Sequence, residues 1–430
     1  MAIDAAPLRH GRIFNTALLA LFTAGAAVSL RAVTAAHLQT EFLDPIDKLN
    51  AGTMLGTVLG AAFVGFAITL FLVSPVLAWV GFRRALLAAA TLMVIGFVIV
   101  AHAGMLGVSP YTALLVGMVV QGLGWGLVET VINPLVSALY PNDRVGKLGI
   151  LHAWYPAGVV FGALLGLWAD GQGLLGLWDV GDHVPWRFES LIVGLFAIAF
   201  AVIAWMETFP DVALSTDAPV TPGEMIKATF EKPTIFFWVI LMMFTASTEF
   251  APGQWVDVSL SQVVHMRGIL LLVYVSGLMF VMRHFAGPLV HRFGNIGLLI
   301  FSACLATLGL FALSVAHSPT AALIAATAWG FGVCYFWPTM LATVAERYPR
   351  SGTIVFGTMG AAGAASTFVV LPYIGAVSDK AKVVAAASGA SPEVVLQQAA
   401  TASFHTIALI PLCLIAIFIG ILIADRMQKR

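Results

Sequence analysis

"GLGWGLVETVINPLVSALYP", residues 122–141, has the length and apolar character of a membrane-crossing helix, yet it carries the carboxylate Glu129 and the amide Asn133, with Pro134 directly behind. A charge at bilayer depth costs about 2.5–3.5 kcal/mol on insertion scales, so such a residue has a partner or a task. Whether this segment is a span, and what the acid is for, depends on the company it keeps.

That company is apolar throughout. The chain has 430 residues, 60% hydrophobic and 10% charged, with a mean hydropathy of +0.97. A soluble domain is about 25% charged. Runs of about 20 apolar residues recur from end to end, each long enough to cross a hydrocarbon core. The short alternating segments of a porin-like barrel are missing. The pattern predicts an all-α polytopic membrane protein in the cell (inner) membrane, with the lipid bilayer as its principal partner. Zero net charge and the lack of a basic tract give no reason to expect nucleic acid. Cys304, Cys334 and Cys413 all lie in apolar runs and read as packing residues, with neither a disulfide frame nor metal spacing. The first apolar run follows Arg9 and Arg12, is too long for a signal-peptide core and contains Arg31, so it reads as a retained helix.

Twelve spans are expected at 14–37, 53–76, 84–104, 111–139, 148–169, 187–208, 234–257, 268–285, 296–316, 319–344, 353–376 and 404–425. With both termini cytoplasmic, the inner segments hold fifteen Lys and Arg, Arg283 and Arg292 among them, and the outer loops hold Lys48, Arg187, Arg267, Lys380 and Lys382. That asymmetry is the positive-inside signature. The longest polar interruption, 209–233, contains "TPGE" at 221–224, a capping box with Thr221 as N-cap and Pro222 at the first helical position. It predicts a short helix linking an N-terminal half, 1–208, to a C-terminal half, 234–430. "SPEVV" at 391–395 could start the helix of the last span.

The two halves resemble each other. "SPVLAWVGFRRALL" (74–87) matches "GPLVHRFGNIGLL" (287–299), each with glycine six residues after proline; "GWG…NP…YP" (124–141) matches "WGFG…WP…YP" (329–349); and "FGALLGLWAD" (161–170) matches "LPYIGAVSD" (371–379). Three matches in one order suggest a duplicated six-helix unit, an arrangement in which transporters place the solute between the repeats near the midplane.

These residues resemble the major facilitator superfamily, whose loop motif after the second span keeps its glycine and basic end in "GFRRALL", with Ala78-Trp79 in place of the usual acidic–basic pair. Within it, "ETVINP" (129–134) and "LGILHAW" (148–154, with His152) are similar to the fucose-permease group of sugar:cation symporters. The resemblance implies two pseudo-symmetric six-helix bundles and alternating access, without cofactor or catalysis. It also implies a small polar solute, a sugar or organic anion, moved with a proton or sodium by a chain expected to act as a monomer. One departure bears on coupling: where that group carries an Asn-Asp pair late in the first helix, this chain has Arg31 and Ala32.

Three charges lie well within spans, away from their ends: Arg31, Glu129 and Glu249. By the helical rise of about 1.5 Å per residue, Glu129 falls ~6 Å to the cytoplasmic side of the midplane, Arg31 ~8 Å outward and Glu249 ~5 Å outward. The similar levels of Arg31 and Glu249 predict an ion pair that helps close the outer gate, against a static structural pair or an Arg31 reaching the headgroups. Glu129 is the candidate proton-coupling residue, since a buried carboxyl group can exchange a proton as its surroundings alternate; the structural alternative pins it to Asn133 or Arg31. Sugars take hydrogen bonds from amides and carboxylates and stack on aromatic rings, so Arg31, Gln121, Asn133, Glu249, Gln254, Trp255, Tyr335 and Trp337 are the substrate-binding candidates. Asn133-Pro134 and Trp337-Pro338 weaken their helices at matched places. The glycines 158/162/166 and 357/360/363 permit close helix packing.

Other functions fit less well. No phosphate-binding loop points to ATP, and neither "GxSxG", "HExxH" nor paired intramembrane aspartates point to an enzyme. An organic-anion carrier using Arg31 as counter-charge and a non-transporting solute sensor remain as alternatives.

Overall fold

In lipid, backbone N–H and C=O groups must be satisfied within the segment, which makes long apolar runs helical. The computed structural model describes residues 9–140, 144–169, 185–210, 222–261, 263–283 and 286–428, and among them there is no strand. Among the described residues eleven helices are long and apolar enough to cross a membrane, and Ile269–Met282 is a shorter apolar one. The spans are, in order, His10–Asp47, Ala51–Val80, Phe82–Ala101, Pro110–Leu139, Ile150–Ala169, Trp186–Met206, Thr234–Leu260, Ile269–Met282 with its continuation, Arg292–Ser314, Pro319–Arg347, Ile354–Ala387 and Pro392–Gln428. A linker helix occupies Pro222–Phe230; the expected cap residue Thr221 lies outside the described residues. The last span does begin behind Ser391, whose hydroxyl accepts from the Val394 N–H at 3.4 Å.

The eighth span differs from expectation. Its helix stops at Met282, but helix resumes at Ala286 and runs to a break at Gly294, φ +70°. Gly81 ends the second span with φ +80°. A left-handed φ is cheap for glycine alone, so the matched "P…G" motifs make the same turn in both halves. The eighth span therefore extends to Phe293, and Arg283 lies in its middle rather than in the cytoplasmic set. The weakened helices also behave differently from one another. The fourth span stays helical through Pro134, whereas the tenth is interrupted at Cys334 and Tyr335.

Packing repeats with the sequence. Within the first half, spans one and five, one and six, two and four, three and four, and three and six pack together; the counterparts seven and eleven, seven and twelve, eight and ten, nine and ten, and nine and twelve do the same. Across the halves, two meets eleven and five meets eight, contacts that interchange when each span is mapped six places on; one and seven meet on the axis. This is the approximate twofold relation of two six-helix bundles.

The seam between spans two and eleven is close because side chains are missing from it. A Cβ at Gly56 would lie 2.3 Å from the Leu371 carbonyl oxygen, and one at Gly375 2.2 Å from that of Gly52. At one end the Asp379 carboxylate accepts from the Thr53 N–H at 2.9 Å and the Thr53 hydroxyl at 3.0 Å. Thr53 lies in the first turn of its helix, where N–H groups have no intrahelical partner, so the eleventh span caps the second.

Candidate functional site

Between the halves lies a chamber lined by Phe66, Trp125, Glu129, His152, Tyr155, Glu249, Phe250, Arg283 and Trp337. These residues come from spans two, four and five of one half and seven, eight and ten of the other. The cavity volume of about 40 Å³ gives room for roughly three waters, so a sugar-sized solute requires the walls to part.

Glu129, in the middle of the fourth span, is partly exposed to this chamber. Neither expected restraint holds its carboxylate. Asn133 donates instead to the backbone oxygen of Glu129 at 3.4 Å, and its Oδ1 lies 2.8 Å from His152 Nε2. Arg31 is engaged elsewhere. His152 is thus tied to the fourth span, as a structural histidine would be, while its ring still lines the chamber.

The second acid is neutralised. Arg283 Nη2 donates to Glu249 Oε1 at 3.3 Å, with side-chain exposures of 17% and 5%. The expected Arg31–Glu249 pair is not formed. The reason is the length of the eighth span: its continuation to Phe293 puts a guanidinium at mid-depth on the element beside Glu249, whereas Arg31 sits on a first span running on to Asp47.

Arg283 is held by a backbone defect. Pro338 has no N–H, which leaves the Cys334 carbonyl without its helical donor; that oxygen lies 3.4 Å from Arg283 Nε. In return Tyr335 donates its hydroxyl to the Met282 carbonyl at 3.0 Å. The interruptions of spans eight and ten therefore satisfy each other, and this fixes the direction of Arg283.

Arg31 is 2% exposed. Its Nη1 donates to Gln121 Oε1 at 2.7 Å, and its guanidinium carbon lies 5.7 Å from the Phe63 ring centroid and 5.4 Å from that of Trp125. Trp125 in turn packs on Phe66 (4.1 Å between centroids) and stacks on Tyr155 (6.4 Å, 13° between planes).

Of the substrate candidates, Glu249 and Trp337 line the chamber, Trp337 meeting Phe250 edge-on at 5.6 Å. Asn133 stands behind it through His152; Arg31 and its partner Gln121 do not line it and lie behind Trp125. Gln254 crosses the halves to donate to the Val28 carbonyl at 3.1 Å. Trp255 is buried at 1% exposure and does not line the cavity, and Tyr335 is spent on the eighth-span break. Arg283, Trp125, Tyr155, Phe66 and Phe250 were not anticipated. Two left a signal: Trp125 lies one helical turn before Glu129, hence on the same face, and Tyr155 lies three residues after His152 on the fifth span.

Among proteins of curated function, none matches the sequence. Solved structures do match in fold. A D-xylose-proton symporter superposes with a TM-score of 0.73 at 17% identity, covering 92% of this chain and 97% of that one. The nucleoside transporter NupG gives 0.66 at 12% identity, covering 96% and 98%. FucP, a major facilitator transporter in the outward conformation, gives 0.53 at 15%, covering 91% and 98%. The model of the Major Facilitator Superfamily matches residues 16–371, and with a twelve-span, twofold-related architecture around a central chamber, the chain belongs to that superfamily.

Proposed function

We propose that this chain is a secondary transporter that moves a small polar solute of sugar size by alternating access, coupled to a proton through Glu129. The observation that carries the reading is the charge distribution in the chamber. Glu249 has Arg283 as its partner at 3.3 Å, while among the described residues Glu129 has no ion pair and faces the cavity. A carboxylate with no salt bridge of its own, between two halves that exchange access, can load a proton from one side and release it to the other. The halves are 1–208 and 234–430, joined by 209–233, with both termini cytoplasmic in an inner membrane, as the Lys and Arg asymmetry supports. The rings of Phe66, Trp125, Phe250 and Trp337 offer faces to the C–H side of a polyol, and Glu249, His152 and Tyr155 offer hydrogen bonds to hydroxyls. The sugar and nucleoside cargoes of the structural neighbours agree with that size class.

The test is uptake and counterflow in proteoliposomes, using labelled hexoses and hexose derivatives. An imposed inward proton gradient should drive accumulation by the wild-type chain. Glu129→Gln should abolish that accumulation while leaving solute exchange at equal pH. Full gradient-driven uptake by Glu129→Gln would remove the coupling role, and accumulation under a sodium gradient at constant pH would transfer coupling to sodium.

A further inference from the structure

Arg31 is a buried cation with almost nothing to answer it. It lies 2% exposed, its single side-chain hydrogen bond goes to the neutral Gln121, and its Nε and Nη2 have no partner. No carboxylate of the described residues pairs with it; the two acids of the chamber are Glu249, held by Arg283, and Glu129. The Tyr155 hydroxyl, on a residue lining the chamber, is likewise buried without a partner. Buried polar groups in native proteins are nearly always bonded, and exceptions mark a role or a ligand. An unpaired charge in a low-dielectric site is among the most costly of all. The unmet groups around Arg31 include three N–H donors, two on the guanidinium and one on the Trp125 indole, and a phenolic hydroxyl that can donate; across the chamber one acceptor, Glu249 Oε2, is unmet as well. The donors are gathered round one ring system, with Arg31 5.4 Å from the Trp125 ring centroid and Tyr155 stacked on the same indole. Trp125 itself lines the chamber.

The geometry points to a carboxylate-binding subsite formed by Arg31 and Tyr155 behind Trp125, so that the transported solute is a sugar acid, its polyol body in the aromatic chamber and its carboxylate on the guanidinium. This rests on the transporter reading above and narrows its substrate class. A guanidinium matches a carboxylate through parallel N–H donors, and the planar edge presented by Nε and Nη2 is the one left free. The Phe63 and Trp125 rings lie 5.7 and 5.4 Å from the guanidinium carbon, and Nε and Nη2 keep no hydrogen-bond partner. Arg31 then needs no protein counter-ion because the cargo provides it.

The test is equilibrium binding to the full-length purified chain, comparing D-glucuronate, D-galacturonate and D-gluconate with D-glucose and D-galactose, followed by uptake of the same compounds in proteoliposomes. At least one carboxylate should bind about tenfold or more tightly than the neutral sugars, the advantage expected of a charged hydrogen bond. Arg31→Gln should erase that preference and leave the neutral sugars as they were, and Tyr155→Phe should weaken the carboxylate several-fold. Monodispersity and melting temperature check each variant; if Arg31→Gln does not fold, Arg31→Lys and Tyr155→Phe decide, with selective weakening of the carboxylate expected of both. Neutral sugars bound as tightly as every carboxylate, no saturable binding of any carboxylate, or variants that weaken both classes equally would each overturn the subsite. Gradient-driven uptake of a neutral sugar without any carboxylate sinks the subsite and spares the carrier. Selective carboxylate binding without uptake does the reverse.

Discussion

Asp379→Ala should open the seam between spans two and eleven at the Thr53 end. In the closed arrangement the carboxylate accepts from the Thr53 N–H at 2.9 Å and the Thr53 hydroxyl at 3.0 Å. It sits over Gly52, where a Cβ would be 2.5 Å from Oδ1, so a side chain at 52 would displace it. Losing an N-cap costs about 0.5–2 kcal/mol, and here the cap comes from the other half of the molecule, so the whole loss falls on the sealed state. Lys382, 3.8 Å from Asp379 and 31% exposed, adds little to this, as surface pairs generally do. A loss of about 1–2 kcal/mol shifts the closed-to-open ratio about 5–30-fold. Spin labels at Lys48 and Ser388, both exposed, should report it by pulsed dipolar spectroscopy, with the exposed Cys413 replaced by serine. The long-distance population should grow in Asp379→Ala, and Asp379→Asn, which keeps an acceptor oxygen, should fall between. A distance distribution unchanged by alanine would refute the cap as a gate.

Other outcomes follow from the chamber. Arg283→Gln leaves Glu249 buried without its cation, a change worth about 3–5 kcal/mol; the melting temperature should fall, and adding Glu249→Gln should restore much of it, whereas equal melting of single and double variants would mean no coupling. Pro338→Ala restores an N–H for the Cys334 carbonyl, which Arg283 now uses at 3.4 Å; the tenth span should straighten, raising melting temperature and slowing counterflow, and an unchanged exchange rate would show that the interruption has no part in turnover. If one proton at Glu129 accompanies one carboxylate at Arg31, uptake moves no net charge. Sugar-acid accumulation should then ignore a potassium–valinomycin potential, and a strong voltage dependence would break that stoichiometry.

Much of this architecture is legible in the order of residues. The apolar runs mark depth, because a residue in hydrocarbon must be apolar or compensated. The "P…G" motifs mark matched turns, because Gly81 and Gly294 adopt φ of +80° and +70° that other residues resist. The same alignment contained the position of Arg283, eleven residues before Gly294 and so about 16 Å along a helix from that turn. Ending the eighth span at 285 hid it. The Arg31–Glu249 pair is absent for the same reason, since a span ending at 285 puts the nearer cation, Arg283, at its cytoplasmic end.

By itself, then, the sequence determined a twelve-span helical membrane protein with a repeated half, and it picked out Glu129, Glu249 and Arg31 as the charges needing explanation. Only the tertiary structure decided that Glu249 answers Arg283, that Glu129 faces a chamber shared by both halves, and that Arg31 is enclosed by Phe63 and Trp125. Hydropathy reports how deep a residue lies along a span. It says little about which way the side chain points, because helices apolar on every face carry no pattern from which to read rotation; packing against neighbours distant in the chain supplies that direction.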